Sequence, residues 1–302
     1  MSSLIFIALF PLIALIVMGY IVKRTVFVED SFWKNAEKIN YYVFFPVMLF
    51  SNLAEADIKL NAIQNVIATI SIVFILALIA LYILKAVYKT RTQQFGVYVQ
   101  SNLRFNSYIG LAVVASLFHQ QGMTVFAILL VLGIPIVNVF SVLALTNSGQ
   151  MNPLQVGISL LKNPLILGAL IGGAFNLSGL QLWGGLSAFI KQLAVCSLPL
   201  GLMCVGAALN FKGLGSNLFS LWVNTFSRLL IMPLLAYFTC IFLNIPQLEM
   251  QVLVLFFALP TASSSYILTK VLGGDSQLMA GVISLQTVVA AFTLPIVLLF
   301  IF

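Results

Sequence analysis

Two polar clusters lie deep inside apolar runs of this chain: Gln100-Ser101-Asn102-Leu103-Arg104-Phe105-Asn106-Ser107-Tyr108-Ile109-Gly110 and Ala258-Leu259-Pro260-Thr261-Ala262-Ser263-Ser264-Ser265-Tyr266. Pro260 has no backbone N–H and its ring clashes with the preceding turn, so a helix opens there. In the first cluster Asn, Ser and Gly110 favour local side-chain bonds or unwound backbone. A helix opened midway leaves a half-helix N-terminus with partial positive charge, which attracts an anion. Two such openings facing each other would form a small polar site for a carboxylate, built from Arg104, Asn106, Ser107, Tyr108, Pro260, Thr261, Ser263, Ser264 and Ser265. For each residue taken singly the alternative stays open that Ser, Thr or Asn only bonds its own helix or a neighbour.

The remaining chemistry-bearing residues are few. Arg104 lies about 12 Å into its run, where it either attracts an anion or snorkels to the interface. Arg228 is more central in its own run and, lacking a matched polar cluster, reads as structural. His119, in Phe118-His119-Gln120-Gln121-Gly122, reads as a connection residue. A lone His with no Cys-x-x-Cys gives no basis for a metal site. All acidic residues (Glu29, Asp30, Glu37, Glu55, Asp57, Glu249 and Asp275) fall in connections or at the ends of apolar runs. Coupling through an intramembrane carboxylate is therefore not supported, whereas sodium held by carbonyls and hydroxyls at the openings remains possible. Cys196, Cys204 and Cys240 read as buried small apolar residues.

The elements that must position these groups follow from composition. Of 302 residues 62% are hydrophobic and only 7% charged, against roughly a quarter charged in ordinary soluble domains. A water-facing globule is excluded, and the solvent is lipid. Runs long enough to span a bilayer, about 20 residues each, fall at 3–22, 37–54, 61–87, 96–118, 122–145, 156–177, 187–209, 218–243, 248–270 and 277–302. The expected fold is all-α and polytopic, with ten spans and with spans four and nine broken. The net charge of +7 sits in the gaps between runs, where it orients the chain and gives no sign of nucleic-acid binding. Lys23, Arg24, Lys34, Lys38, Lys85, Lys89, Arg91, Lys162, Lys212 and Lys270 flank the odd connections, whereas the even ones hold essentially Lys59, with Lys191 ambiguous. This places the odd connections in the cytoplasm and both termini outside it.

Three motifs recur in the same order. Tyr42-Val43-Phe44-Phe45-Pro46-Val47-Met48-Leu49 resembles Val195-Cys196-Ser197-Leu198-Pro199-Leu200-Gly201-Leu202; Ser107-Tyr108-Ile109 recurs as Ser265-Tyr266-Ile267; Ile134-Pro135-Ile136-Val137 recurs as Leu294-Pro295-Ile296-Val297. The halves 1–150 and 151–302 then read as five-helix repeats. Because five is odd, the second repeat enters the membrane from the opposite side, the inverted arrangement of many secondary transporters. Pro46, Pro199, Pro135 and Pro295, with Gly110, are the expected helix-breaking or hinge positions.

Several segments together resemble the auxin efflux carrier family in its compact bacterial form: Gly19-Tyr20-Ile21-Val22-Lys23-Arg24, Phe45-Pro46-Val47-Met48-Leu49-Phe50-Ser51-Asn52-Leu53, Arg104-Phe105-Asn106-Ser107-Tyr108-Ile109-Gly110, Asn163-Pro164-Leu165-Ile166-Leu167, Leu198-Pro199-Leu200 with Val205-Gly206-Ala207-Ala208-Leu209, and Leu259-Pro260-Thr261-Ala262. The resemblance implies the fold shared with bile acid sodium symporters, in which spans four and nine cross beside a scaffold of spans one, two, six and seven. It also implies organic anions as cargo, location in the bacterial cytoplasmic (inner) membrane, and Asn106, Pro260 and Thr261 facing substrate. The short connection between spans five and six departs from the plant members, and with it goes any expectation of loop-borne regulation. The second crossover carries Pro-Thr and a serine run where a second Asn would match the first, so auxin itself does not carry over as cargo.

The expectation is therefore a carrier for a small organic anion, working by alternating access with no cofactor. A passive channel or receptor is the runner-up. A membrane-embedded enzyme would need a base near the midplane to activate a serine, and the runs supply none. An apolar scaffold face would suit a homodimer, although lipid-facing and partner-facing surfaces share one composition.

Overall fold

A computed structural model of the chain describes residues 2–25, 27–56, 60–145, 163–211 and 218–302. These residues form helices and connections, with no strand among them. Six helices are long and apolar enough to cross a membrane by themselves: Ile5–Arg24, Asn61–Tyr88, His119–Leu145, Gly184–Ala208, Leu218–Phe242 and Ser276–Ile301. In the numbering used below, α1 is Ser2–Arg24, α2 is 30–54, α3 is Leu60–Tyr88, α5 is His119–Leu145, α6 is Pro164–Leu177, α7 is Gly184–Ala208, α8 is Leu218–Phe242 and α10 is Ser276–Ile301. The other two are broken: α4 into α4a (Thr92–Leu103) and α4b (Ser107–Leu117), and α9 into α9a (Gln247–Ala258) and α9b (Ser264–Val271). The expected repeat boundary at 150/151, residues 156–162 of the sixth run, and Asp57, Lys59, Lys162 and Lys212 lie outside the described residues.

Sidedness is inverted relative to a soluble protein. Phe6, Phe10, Ile79, Phe219, Phe242, Phe292 and Phe300 are exposed, while Gln100, Ser101, Asn102, Arg228, Thr261 and Gln286 are buried. That is the distribution lipid imposes, since the outer face meets hydrocarbon and polar groups must find partners inside. Cys204 and Cys240 are buried as expected, but Cys196 is exposed on the surface of α7. It faces away from the packed seam of its helix.

Two helices widen before a proline. In α2 a π-turn at Asn40–Phe44 precedes Pro46, and in α8 one at Ser227–Ile231 precedes Pro233. Proline brings no N–H to the ladder and crowds the carbonyl one turn back; a wider turn accommodates both, because Phe45 N bonds back to Asn40 O and Met232 N to Ser227 O. Pro135, Pro199 and Pro295 lie inside unbroken helices, so none of them opens its helix. Gly110 serves close packing, since a Cβ there would overlap Phe126 and Leu259.

The most extensive pairings set α1 along α7 and the second half of α2 along α6. A Cβ on Gly19 would overlap the Met203 backbone, and one on Gly172 would overlap the Phe50 backbone. Residues 19 and 172, like 50 and 203, are 153 apart, the offset of the first sequence repeat.

Hydrogen bonds and ion pairs sort the connections by end. At one end Lys23 pairs with Asp30 (3.3 Å) and Asp275 N donates to Gln93 O (3.3 Å). At the other Lys191 pairs with Glu55 (3.0 Å), Gln120 reaches Asn52 O, and Asn176 bonds Ala54 O and Ala56 O. His119 adopts φ +50° as the first residue of α5 and is exposed there, directly after the turn at Phe118 that ends α4b.

Candidate functional site

The two breaks cross. Asn106 N donates to Pro260 O (2.8 Å), and the Thr261 hydroxyl lies 2.9 Å from Ser101 O and 2.7 Å from Gln286 Oε1, which also accepts from Thr261 N (2.9 Å). Thr261 and Pro260 are thus a clasp between the broken helices, buried behind the cavity described next. Asn106 turns its Oδ1 to its own helix, accepting from Tyr108 N and Ile109 N (3.1 and 3.2 Å). It is an N-cap that satisfies two of the donors a helix start leaves open.

On one side of the crossing lies a cavity of about 400 Å³ lined by Glu37, Tyr41, Phe45, Arg104, Asn106, Ser107, Tyr108, Asn138, Asn163, Ala262, Ser263 and Ser264, among others. It gathers most of the expected residues, including the N-terminal ends of both α4b and α9b. Pro260, Thr261 and Ser265 are not among its walls. Ser265 is fully buried, and its hydroxyl has no hydrogen-bond partner among the described residues.

Arg104 is held in this cavity rather than drawn out to the interface. Its Nε donates to the Ser141 hydroxyl (3.3 Å) and its Nη2 to Asn138 Oδ1, both on α5. Among the described residues the ion pairs are Lys23 with Asp30 and Lys191 with Glu55, so Arg104 has no carboxylate partner. A partly desolvated guanidinium with neutral neighbours can form charge-assisted bonds to an incoming carboxylate. Glu37 is the acidic group of the wall.

Arg228, fully buried, lies behind the crossing. Its Nε donates to Leu259 O (2.7 Å), Nη1 to Asn102 O (2.6 Å) and Nη2 to Phe256 O (3.2 Å). Around it Ser227 donates to Asn102 Oδ1 (2.6 Å), Ser101 to Asn224 Oδ1 (2.7 Å), and Gln286 Nε2 to Asn224 O (3.3 Å). Sequence reasoning passed over Asn138, Ser141, Asn224, Ser227 and Gln286; Asn138 and Ser141 are single polar residues in an apolar stretch of α5, whereas Asn224 and Ser227 belong to the polar run Asn224-Thr225-Phe226-Ser227-Arg228 and Gln286 adjoins Thr287, and those breaks in apolar sequence are the available signal. A second cavity, of about 310 Å³, lies between α1 and α10 with walls such as Leu12, Ile16, Val113 and Phe292. Its walls are almost all hydrocarbon, Tyr20 and Thr287 being the polar side chains among them and the Thr287 hydroxyl donating to Ile283 O, so it offers little with which to orient a polar cargo. No group of three His, Cys, Asp or Glu converges among the described residues.

A membrane-embedded bundle with two broken helices crossing beside a polar cavity is the anatomy of a solute transporter. A family model described as membrane transport protein matches residues 4–298, and the chain belongs to that family, the auxin efflux carrier family. It is also similar to an uncharacterized transporter of Methanothermobacter thermautotrophicus, 25% identical over 290 residues that cover 94% of each chain. The protein is an integral membrane transporter.

Proposed function

We propose that this transporter is a carrier for a small organic anion, a carboxylate, which it moves by alternating access. The observation that carries the reading is Arg104, a guanidinium without a carboxylate partner among the described residues, in one cavity with the N-terminal ends of α4b and α9b. Positive charge and two helix N-termini favour an anion, and the planar fork of Arg favours a carboxylate over a spherical ion. The paired approaches of Gly19 to Met203 and Gly172 to Phe50 support an inverted repeat of five plus five helices. Such a repeat gives alternating access by exchanging the roles of its halves.

The cavity runs from the crossing toward the end that holds Glu37, Asn163 and Val271. That end carries Lys34, Lys38, Lys89, Arg91 and Lys270, so by the excess of basic residues on the cytoplasmic side the cargo meets the site from the cytoplasm in this conformation, and the termini lie outside.

The test is uptake of labelled malonate and related carboxylates into liposomes holding the purified protein. Saturable uptake with counterflow supports a carrier. Non-saturating flux without counterflow supports a channel, and no flux for any carboxylate removes the cargo class.

A further inference from the structure

The cavity uses Arg104 but not Arg228, and the placement of Arg228 assigns it a different task. Its three donors go to Asn102 O at the C-terminal end of α4a and to Phe256 O and Leu259 O at the C-terminal end of α9a. These carbonyls lie where the half-helices end: Asn102 is in the last turn of α4a, Leu259 follows the last residue of α9a, and Phe256 O also accepts from Leu259 N at 3.5 Å, so the helices leave them few N–H partners of their own. Each helix C-terminus carries about half a negative elementary charge. Two of them facing one point sum to about one, which a single guanidinium balances. In transporters built on broken helices, such half-helix C-termini and unwound carbonyls are the groups that coordinate a coupling cation.

We propose that the Arg228 guanidinium is a built-in counter-cation: it fills the position between the two half-helix C-termini that a sodium ion would otherwise occupy, and it locks the crossing without a metal ion. Arg suits this place because its fixed fork spans two helix ends at once, where a Lys ammonium is a single point charge. The π-turn at Ser227–Ile231 sets the register of α8 at the residue itself. Neighbouring side chains from α4a, α8 and α10 are neutral: Asn102 bonds the side chains of Asn224 and Ser227, and Gln286 donates to the Asn224 backbone carbonyl. Among the described residues no carboxylate pairs with Arg228, so a further cation at this point would meet an already balanced charge. The inference deepens the carrier reading at the same crossing, but its first test does not depend on transport.

Thermal unfolding of the purified wild-type protein in detergent, compared in sodium, potassium and choline chloride at equal ionic strength, should give one midpoint for all three salts. A sodium-specific rise, the signature of an ion that binds the folded state, would overturn the proposal. Arg228→Ala should lower the midpoint, and millimolar guanidinium chloride should restore at least about half of the loss by occupying the vacated place. Arg228→Met fills the space with hydrocarbon and should not respond to guanidinium. A folded Arg228→Ala protein indifferent to guanidinium, with Arg228→Met as stable as wild type, would show that only packing matters. If Arg228→Ala does not fold, the wild-type salt comparison and Arg228→Met still decide. In liposomes, carboxylate uptake should differ by less than about twofold between sodium and choline. Absence of any uptake would defeat the carrier reading while leaving the unfolding result to judge the counter-cation.

Discussion

The N–H of Asn106 donates to the carbonyl of Pro260 at 2.8 Å, so each unwound stretch is fixed by backbone of the other and not by substrate. The Asn106 side chain is committed as well, since its Oδ1 caps α4b. Its acceptor role sorts two substitutions. Asn106→Ala removes the cap and should lower stability by about 1 kcal/mol. Asn106→Asp keeps the acceptor and the fold, but adds a negative charge beside the anion site and should abolish carboxylate uptake. Thermal unfolding and liposome uptake on the same preparations separate the two effects; equal uptake by Asn106→Asp and wild type would remove Asn106 from the cargo's surroundings.

Arg104 carries the proposed charge recognition. Charge-assisted hydrogen bonds contribute about 1.5–3 kcal/mol, so Arg104→Gln should raise the KM for a carboxylate by roughly 10- to 100-fold with little change in folded yield. Arg104→Lys should recover part of this, because the charge remains and the fork does not. Asn138→Leu, which leaves the guanidinium without its α5 anchor, should move KM in the same direction by a smaller factor. An unchanged KM in Arg104→Gln would refute the assignment.

How far the sequence reached follows from what kind of information each feature needed. Apolar runs and Pro260 marked where helices lie and where α9 opens, because lipid and proline impose those locally. Length alone picks out only six spans, since the breaks at 104–106 and 259–263 and the π-turn before Pro46 divide α4, α9 and α2, and α6 is described over only 14 residues. Arg228 illustrates the opposite case: its carbonyl partners are Asn102, Phe256 and Leu259, and no periodicity reveals which carbonyls a side chain will meet. Asn106 and Thr261 were readable as members of the crossing, but their commitment to backbone and to Gln286 is a property of tertiary contact.

Thr261→Val keeps the shape of the side chain while removing its hydroxyl from Ser101 O and Gln286 Oε1. Gln286 Oε1 keeps its bond from Thr261 N, but Ser101 O loses the hydroxyl, and a buried acceptor left without a partner costs about 1–3 kcal/mol, so this variant should unfold at lower temperature. Ser263→Ala and Ser264→Ala, on the cavity wall, should keep wild-type stability and shift KM instead. Thermal unfolding and uptake kinetics run together would show the opposite pattern if Thr261 were a cargo ligand and the serines structural.

The close approach of α1 to α7 has its counterpart between α6 and α2, and the two should fail alike. A methyl group at Gly19 has no space against the Met203 backbone, nor has one at Gly172 against the Phe50 backbone. Each Gly→Ala change forces its pair of helices apart and should lower stability by about 1–3 kcal/mol, whereas Gly173→Ala, with open space around it, should be tolerated. Indifference of the protein to Gly172→Ala alongside a loss in Gly19→Ala would break the equivalence of the halves.

Glu37 gives the last prediction its direction. It lines the same cavity as Arg104, so an arriving carboxylate feels one attractive and one repulsive charge. Like charges in a partly desolvated space repel more strongly than in water, where salt screens them beyond about 10 Å. Glu37→Gln removes the repulsion with nearly the same shape, so carboxylate affinity should rise several-fold, and the gain should shrink as ionic strength increases. A neutral analogue such as the corresponding amide should bind wild type and Glu37→Gln equally. If affinity for the carboxylate falls in Glu37→Gln, the Glu37 carboxylate assists the cargo, for instance by orienting Arg104, and the cavity's selectivity does not come from simple charge attraction.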